Sequence, residues 1–145
     1  MTTRIQVMRR QHDEAENIAA EIVAIVGAYR DEYDAIPIAR LIGKLNALLR
    51  VHLAYEDTVL YPLLMNGGDR EAAELAERFC DETSALAQHF EEFARRWSGP
   101  TVIAGMFDYF RLEATALFAT LAARIEREND QLFPLAVRAL VERAA

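Results

Sequence analysis

Apolar residues recur every three or four positions along four long segments of the chain, and this spacing constrains the fold more than any other feature. Residues spaced in this way share one face of an α-helix, whereas the alternating pattern of β-strands is absent. The sequence therefore predicts an all-α chain of four amphipathic helices. Their inward faces are predicted to comprise, in chain order, Ile5, Met8, His12, Ala15, Ala19, Ile22, Val26 and Tyr29; Ile38, Leu41, Leu45, Leu48, His52, Tyr55, Val59 and Leu63; Ala72, Leu75, Phe79, Leu86, His89 and Phe93; and Ile103, Met106, Phe110, Leu117, Leu121, Arg124, Glu128 and Leu132.

Three short turn sequences separate the four segments. They are Asp34-Ala35-Ile36-Pro37, Asn66-Gly67-Gly68-Asp69 and Ser98-Gly99-Pro100-Thr101. Each combines turn-forming residues with a proline or an aspartate of the kind that begins a helix. Four helices joined by short connections pack most economically as an up-down-up-down four-helix bundle. A chain of 145 residues fits one such domain, and we expect that domain to cover residues 1–145.

The charge balance and the cysteine content exclude several classes of protein. The chain carries 23 acidic and 16 basic side chains, a net charge of −7, and no cluster of Lys or Arg larger than a pair. Nucleic acid is not an expected partner, because phosphate binding requires a basic surface. No apolar run approaches the roughly 20 residues of a membrane span. The single cysteine, Cys80, cannot form an internal disulfide and the N-terminus lacks a secretory pattern, so we expect a cytoplasmic protein.

All three histidines of the chain fall on the predicted inward faces. A single histidine in such a place is usually a hydrogen-bonded core residue, but His12, His52 and His89 form a set. His52 and Glu56 are four residues apart and therefore share a helix face, and Glu128 has the equivalent place in the fourth helix. A buried carboxylate needs a partner, and a cation supplies one. Imidazole and carboxylate together suit iron, manganese or zinc.

The second and fourth helices resemble each other. The sequence from His52 to Leu63, His-x-x-x-Glu-x-x-x-Leu-Tyr-Pro-Leu, aligns without gaps on Arg-x-x-x-Glu-x-x-x-Leu-Phe-Pro-Leu, which runs from Arg124 to Leu135. The chain is thus predicted to consist of two helical hairpins, each with a similar second helix that faces the metal.

From about Arg9 to Leu135, the histidines, the two glutamates and the Leu-Tyr/Phe-Pro-Leu segments resemble the pattern of the hemerythrin-like, HHE cation-binding family. The resemblance implies a non-haem iron site of one or two ions, with manganese or zinc as alternatives, in which both glutamates bridge and histidines cap. It also implies the binding of oxygen or nitric oxide, iron handling or sensing. The implied metal ligands are His12, His52, Glu56, His89 and Glu128.

Arg124 departs from that family pattern, which has a histidine at this place. Arginine is always protonated and cannot coordinate a metal. Three alternatives follow. The metal held by the remaining histidines persists while the other position is weak or empty; the guanidinium takes the place of a second cation and pairs with Glu56 or Glu128; or Arg124 extends to solvent, and water, Glu126 or Tyr55 completes a two-metal site.

The favoured function is a metal-binding protein that binds or senses oxygen, nitric oxide, peroxide or iron through an incomplete or asymmetric site. The alternative is a degenerate bundle that acts as a regulatory or protein-interaction module with little or no metal. An enzyme is the least supported of the three, and no catalytic residue is predicted, because phosphate loops, Ser/His/Asp arrangements and CxxC pairs are absent. A small diatomic ligand is the expected partner, and a protein partner or a homodimer is left open.

Overall fold

The computed structural model describes the backbone of residues 2–144 and the side chains of residues 4–141, so Met1 and Ala145, the ends of the predicted domain, lie outside the described residues. Within this range the chain is helical and contains no strand, which confirms the all-α prediction. The elements are α1 (Thr2–Gly27), a 3-10 turn (Glu32–Asp34), α2 (Ala35–Tyr55), a first π segment (Glu56–Leu60), α3 (Tyr61–Met65), α4 (Arg70–Arg96), α5 (Pro100–Gly105), α6 (Phe107–Arg127), a second π segment (Glu128–Leu132) and α7 (Phe133–Ala144).

These elements form the four rods of the predicted bundle. The backbone stays right-handed helical through both π segments, so α2 continues into α3 and α6 continues into α7. The first rod, α1, packs against α2 and against α6 and α7, while α4 packs against α2 and α3. Each long helix therefore has neighbours on two sides, and the centre of the bundle is enclosed by all four rods.

The predicted turn sequences lie at helix starts. Asp69 caps α4, since its side chain accepts a hydrogen bond from the backbone N–H of Ala72 at 3.2 Å, and Gly68 before it has a φ of +86° that favours glycine. The fourth segment differs from expectation. The helix is interrupted at Met106, which has a φ of −134°. The Met106 side chain is exposed, although it was predicted to lie on the inward face.

The two π segments begin at Glu56 and Glu128, the two glutamates of the internal repeat. In each, a backbone N–H donates to the carbonyl five residues earlier: Tyr61 to Glu56, and Phe133 to Glu128. A proline follows directly after each of these donors. Because proline has no N–H, it cannot continue the α-helical bonding, and a wider turn accommodates the chain there.

The wider turn shifts the inward face by one residue. A constant helical period predicts Val59 and Leu63 on the inside, and both are only half-buried. The residues that are buried instead are Leu60, Tyr61 and Leu64. The π segment thus turns a tyrosine, which the regular period does not place inside, toward the centre of the bundle.

Two apolar clusters fill the core, and a polar layer separates them. The first cluster includes Ala15, Leu49 and Ile125, and the second includes Met8, Leu60 and Leu132. In α1, in the rod of α2 and α3, and in the rod of α6 and α7, a histidine or glutamate lies along the chain between a residue of one cluster and a residue of the other. Those polar side chains therefore share one level of the bundle, with apolar packing on both sides.

Within residues 2–144, none of the helices combines the length and the apolarity that crossing a membrane requires.

Candidate metal centre

The polar layer brings together four of the five predicted ligands. His12 comes from α1, His52 from the last turn of α2, and Glu56 and Glu128 from the first residues of the two π segments. All four are buried, with exposed fractions of 2%, 3%, 0% and 2% respectively. Each offers one ligand atom, and these atoms lie within 4.8 Å of one another. The cluster thus joins three rods of the bundle at one point.

The donor atoms are at distances that a metal ion could span. His12 Nε2 lies 3.0 Å from His52 Nε2 and 3.1 Å from Glu128 Oε1. His52 Nε2 lies 2.8 Å from Glu56 Oε1. Ligand atoms bound at about 2.0–2.2 Å to one ion are about 3–3.5 Å apart in tetrahedral or octahedral geometry. The spacing therefore fits an ion between these side chains.

The outer nitrogen of each imidazole is held by an amide oxygen. His12 Nδ1 donates to Asn129 Oδ1 at 2.8 Å, and His52 Nδ1 donates to Gln11 Oε1 at 2.7 Å. With the proton on Nδ1, the lone pair of a neutral ring lies on Nε2, the atom that faces the cluster. Two such lone pairs and carboxylate oxygens would face each other, an arrangement that requires positive charge between them.

One oxygen of the cluster has no hydrogen-bond partner. Glu56 Oε1 is fully buried and accepts no hydrogen bond, although His52 Nε2 is only 2.8 Å away. Leaving a buried charged oxygen unpaired costs several kcal/mol, roughly the desolvation penalty of an ion. A cation at the cluster would satisfy this oxygen and both imidazole nitrogens. The residues present therefore fit a bound metal ion.

The pKa values of these groups show the same demand for positive charge. Burial raises the pKa of Glu56 to about 8, and the contact with Glu128 adds to this effect. Burial alone would lower the pKa of His52, but its contacts with Glu128 and Glu56 raise it to about 9. Burial opposes the charge of Glu128, yet the contacts with Glu56, His12 and His52 lower its pKa well below the usual range. The cluster thus takes up protons where no cation compensates its carboxylates.

Arg124 borders this cluster and is itself buried, with 6% of the residue exposed. Its Nε donates to Glu128 Oε2 at 2.7 Å, and its Nη1 donates to Glu82 Oε2 at 2.9 Å. Glu82 also accepts from Arg127 at 2.8 Å at the half-exposed rim. The guanidinium carbon lies 4.4 Å from the centre of the Phe79 ring. The alternative in which Arg124 extends to solvent is therefore wrong.

The remaining nitrogen of Arg124 faces α4 and Tyr61 of α3. Its Nη2 donates toward the Tyr61 hydroxyl at 3.0 Å, the Phe79 carbonyl at 2.7 Å and the Thr83 hydroxyl. Tyr61 in turn donates to Glu56 Oε2 at 3.0 Å. Because that bond uses the only phenolic proton, the Thr83 hydroxyl donates to the Tyr61 oxygen, at 2.7 Å. A continuous hydrogen-bond network therefore joins the arginine to both glutamates.

His89 does not join the cluster. The expectation that it faces the interior is wrong, because its side chain is exposed, beside a groove that Glu92 and Glu113 also line. In α4 the buried positions include Thr83, Phe90 and Phe93. His89 precedes Phe90 by one residue, about 100° around the helix, and so points away from the core. At the level of the cluster, Thr83 takes the place expected for a histidine.

Four further residues support the site although the sequence reasoning did not assign them a role: Gln11, Tyr61, Thr83 and Asn129. Tyr61 belongs to the Leu-Tyr-Pro-Leu segment, and the proline that follows it signals the wider turn that brings it inside. Gln11 and Asn129 are sequence neighbours of ligand residues, but each contacts a histidine of another rod. Nothing in the sequence identifies Thr83 except its distance of one helical turn from Phe79.

The family model described as the hemerythrin HHE cation binding domain matches residues 3–136 of the chain, a span that includes all four clustered residues and both π segments. No curated protein and no solved structure matched the chain. Cation binding, which the family description states, agrees with the convergent donor atoms and confirms the resemblance found in the sequence. The chain belongs to the hemerythrin HHE cation-binding domain family.

Proposed function

We propose that the chain binds iron through His12, His52, Glu56 and Glu128 and uses the bound ion to bind or sense a small molecule. One observation carries this proposal: four buried donor atoms from three rods converge within 4.8 Å, and one of them, Glu56 Oε1, accepts no hydrogen bond. None of the described side chains donates a hydrogen bond to that oxygen. We leave His89 out of the proposed ligand set because it is exposed.

The donor types support iron and allow manganese or zinc. Two imidazole nitrogens with carboxylate oxygens form a ligand set of intermediate softness, and iron(II) commonly accepts more ligands than these four side chains supply. Bound iron would supply a redox-active centre with coordination positions open to oxygen, nitric oxide or peroxide. The residues of the chain would hold the ion and fix the direction of both imidazole rings.

The surroundings of the site favour small ligands. The His12 ring stacks on the Phe133 ring at 5.0 Å between centres, and Leu60 and Leu132 are buried in the apolar cluster beside it. A large polar substrate has no room at this level, where every proposed ligand is buried. We therefore propose oxygen, nitric oxide, peroxide or iron itself as the molecule that is bound or sensed, and we keep the cytoplasm as the proposed location.

The second candidate function is a regulatory or protein-interaction module with little or no metal. The hydrogen bond from Arg124 to Glu128 Oε2 and the one from Tyr61 to Glu56 Oε2 favour it, since each compensates part of a buried carboxylate without a metal. It leaves Glu56 Oε1 without a partner, which is why we prefer metal binding.

Elemental analysis separates the two candidates. Protein purified without chelator should contain iron, manganese or zinc in an amount comparable to the number of chains. Glu56→Gln should reduce that content strongly, whereas Glu92→Gln, which changes an exposed glutamate in the same way, should not. The iron(II) form should then give a new visible absorption band with nitric oxide. Metal-free protein that takes up none of the three metals on reconstitution would favour the interaction module.

A further inference from the structure

The two glutamates divide their oxygen atoms between two halves of the polar layer. In both residues Oε1 faces the histidine pair. In both, Oε2 faces the opposite side, where Glu56 accepts from Tyr61 and Glu128 accepts from Arg124. A pair of carboxylates shared in this way can hold one cation on each side, as in two-metal carboxylate sites. The geometry thus contains two cation positions with different surroundings.

The half that faces away from the histidines is already filled. Each nitrogen of the Arg124 guanidinium has an oxygen neighbour, and its plane lies over an aromatic ring, so the group is fixed in direction. No imidazole reaches this half, because His89, the remaining histidine, is exposed. The oxygen neighbours of the guanidinium are Glu128 Oε2, Glu82 Oε2, the Tyr61 and Thr83 hydroxyls and the Phe79 carbonyl.

The charge of the guanidinium also opposes a second metal ion. Arginine stays protonated in proteins, so this buried guanidinium is a permanent cation beside Glu128. At about 4 Å and an effective dielectric near 20, repulsion lowers the affinity of an ion roughly a thousandfold for each unit of its charge. A divalent ion beside Arg124 Nε would meet that repulsion and would also lose Glu128 Oε2 as a free ligand.

We propose that the Arg124 guanidinium is a built-in replacement for a second metal ion, held between Glu128, Tyr61 and Thr83, so that this protein binds one metal ion. That ion lies on the side of His12 and His52. The inference rests on the proposed metal-binding function, and it adds the stoichiometry and the residues that set it. Tyr61 and Thr83 are then positioning residues for a guanidinium.

Counting ions tests the proposal. Apo-protein is titrated anaerobically with iron(II), and in parallel with manganese(II) and zinc(II), and the bound metal is measured after removal of weakly held ions. We expect one tightly bound ion per chain. The manganese form should give the electron paramagnetic resonance signal of an isolated ion. Two tight ions, or the signal of an exchange-coupled pair, would overturn the one-metal proposal and leave the proposed function standing. No tight ion of any of the three metals would overturn both.

Two variants of Arg124 make the test independent of the wild-type count. Arg124→His replaces the cation by a ligand and should add a second bound ion, with the spectrum of a coupled pair. Arg124→Lys keeps the charge and should still bind one ion. If Arg124→His fails to fold without metal, refolding it in the presence of each metal gives the same count. A single ion in Arg124→His with two in the wild type would contradict the assignment of the guanidinium.

Discussion

Gln11 provides the most direct test of how the imidazoles are oriented. It accepts a hydrogen bond of 2.7 Å from His52 Nδ1 and contacts none of the proposed ligand oxygens. Gln11→Met removes this acceptor and keeps the length of the side chain. Without it the His52 ring is free to rotate and its Nε2 is a weaker base, so the proposed metal ion should be held less tightly.

The expected effect is large enough to measure. Loss of an acceptor behind a metal-bound histidine typically lowers metal affinity by about 10–100-fold, which corresponds to about 1.4–2.7 kcal/mol. The Gln11 bond is short and half-buried, so the effect should lie well inside this range. At a fixed free concentration of metal, the metal-bound form should melt about 3–11 °C lower, since 1 kcal/mol corresponds to about 2–4 °C at this size. Without metal the change should stay within about 1.5 kcal/mol, the net value of one hydrogen bond.

The assay is a competition titration of iron(II) against a chelator of known affinity, followed by thermal unfolding with and without metal. Gln11→Glu is the matched control, because a carboxylate is a stronger acceptor for the same Nδ1 proton and should keep or raise the affinity. Equal affinities of wild type, Gln11→Met and Gln11→Glu would refute the reasoning, since they would mean that the orientation of His52 does not depend on Gln11.

Three more predictions follow from the same geometry. A strong chelator should lower the melting temperature of the metal-bound protein, because the unfolded chain lacks the assembled ligands; an unchanged curve after verified metal removal would count against metal-coupled stability. In the apo-protein, Arg124→Met should cost about 3–5 kcal/mol in urea unfolding because it leaves Glu128 Oε2 without its buried partner, whereas Arg127→Met, at the half-exposed rim, should cost less than about 1 kcal/mol. Equal losses would contradict the assignment. His89→Ala should leave the metal content unchanged and should change the free energy of unfolding by no more than about 0.5 kcal/mol. Loss of metal in this variant would restore His89 as a ligand.

Much of the site could be predicted because it follows regular helix geometry. His52 and Glu56 are four residues apart and share one helix face, and Glu128 has the same place as Glu56 in the repeat. Because the inward faces of the helices meet in a bundle, this spacing predicts that the three side chains lie close together. His12 could be placed in the site once the inward face of the first helix was predicted correctly. The turn sequences likewise located the helix starts, since proline, glycine and aspartate act through local backbone chemistry.

The part that could not be predicted depends on departures from the regular period. In α4, Phe79 and Phe93 belong both to the predicted inward face and to the observed one. Thr83 is polar, so the sequence gave no reason to expect it on the inward face. The apolar neighbour of His89, Phe90, was the residue that the packing buried. Tyr61 became a partner of Glu56 only because the π segment adds a residue to the turn. Such choices depend on contacts between rods, which a single sequence does not display.

The formal charges of the layer connect the arginine to the number of metal ions. Glu56 and Glu128 contribute two buried negative charges and Arg124 one buried positive charge, a sum of −1. Glu82 and Arg127 pair with each other at the rim and are both half-exposed, so their charges cancel and solvent screens them. One divalent ion changes the buried sum to +1, whereas a pair of divalent ions changes it to +3; in the empty site, the raised pKa values of His52 and Glu56 mean that protons compensate the carboxylates. Because uncompensated charge is costly in a buried layer, electrostatics favours one ion over two beside the buried Arg124.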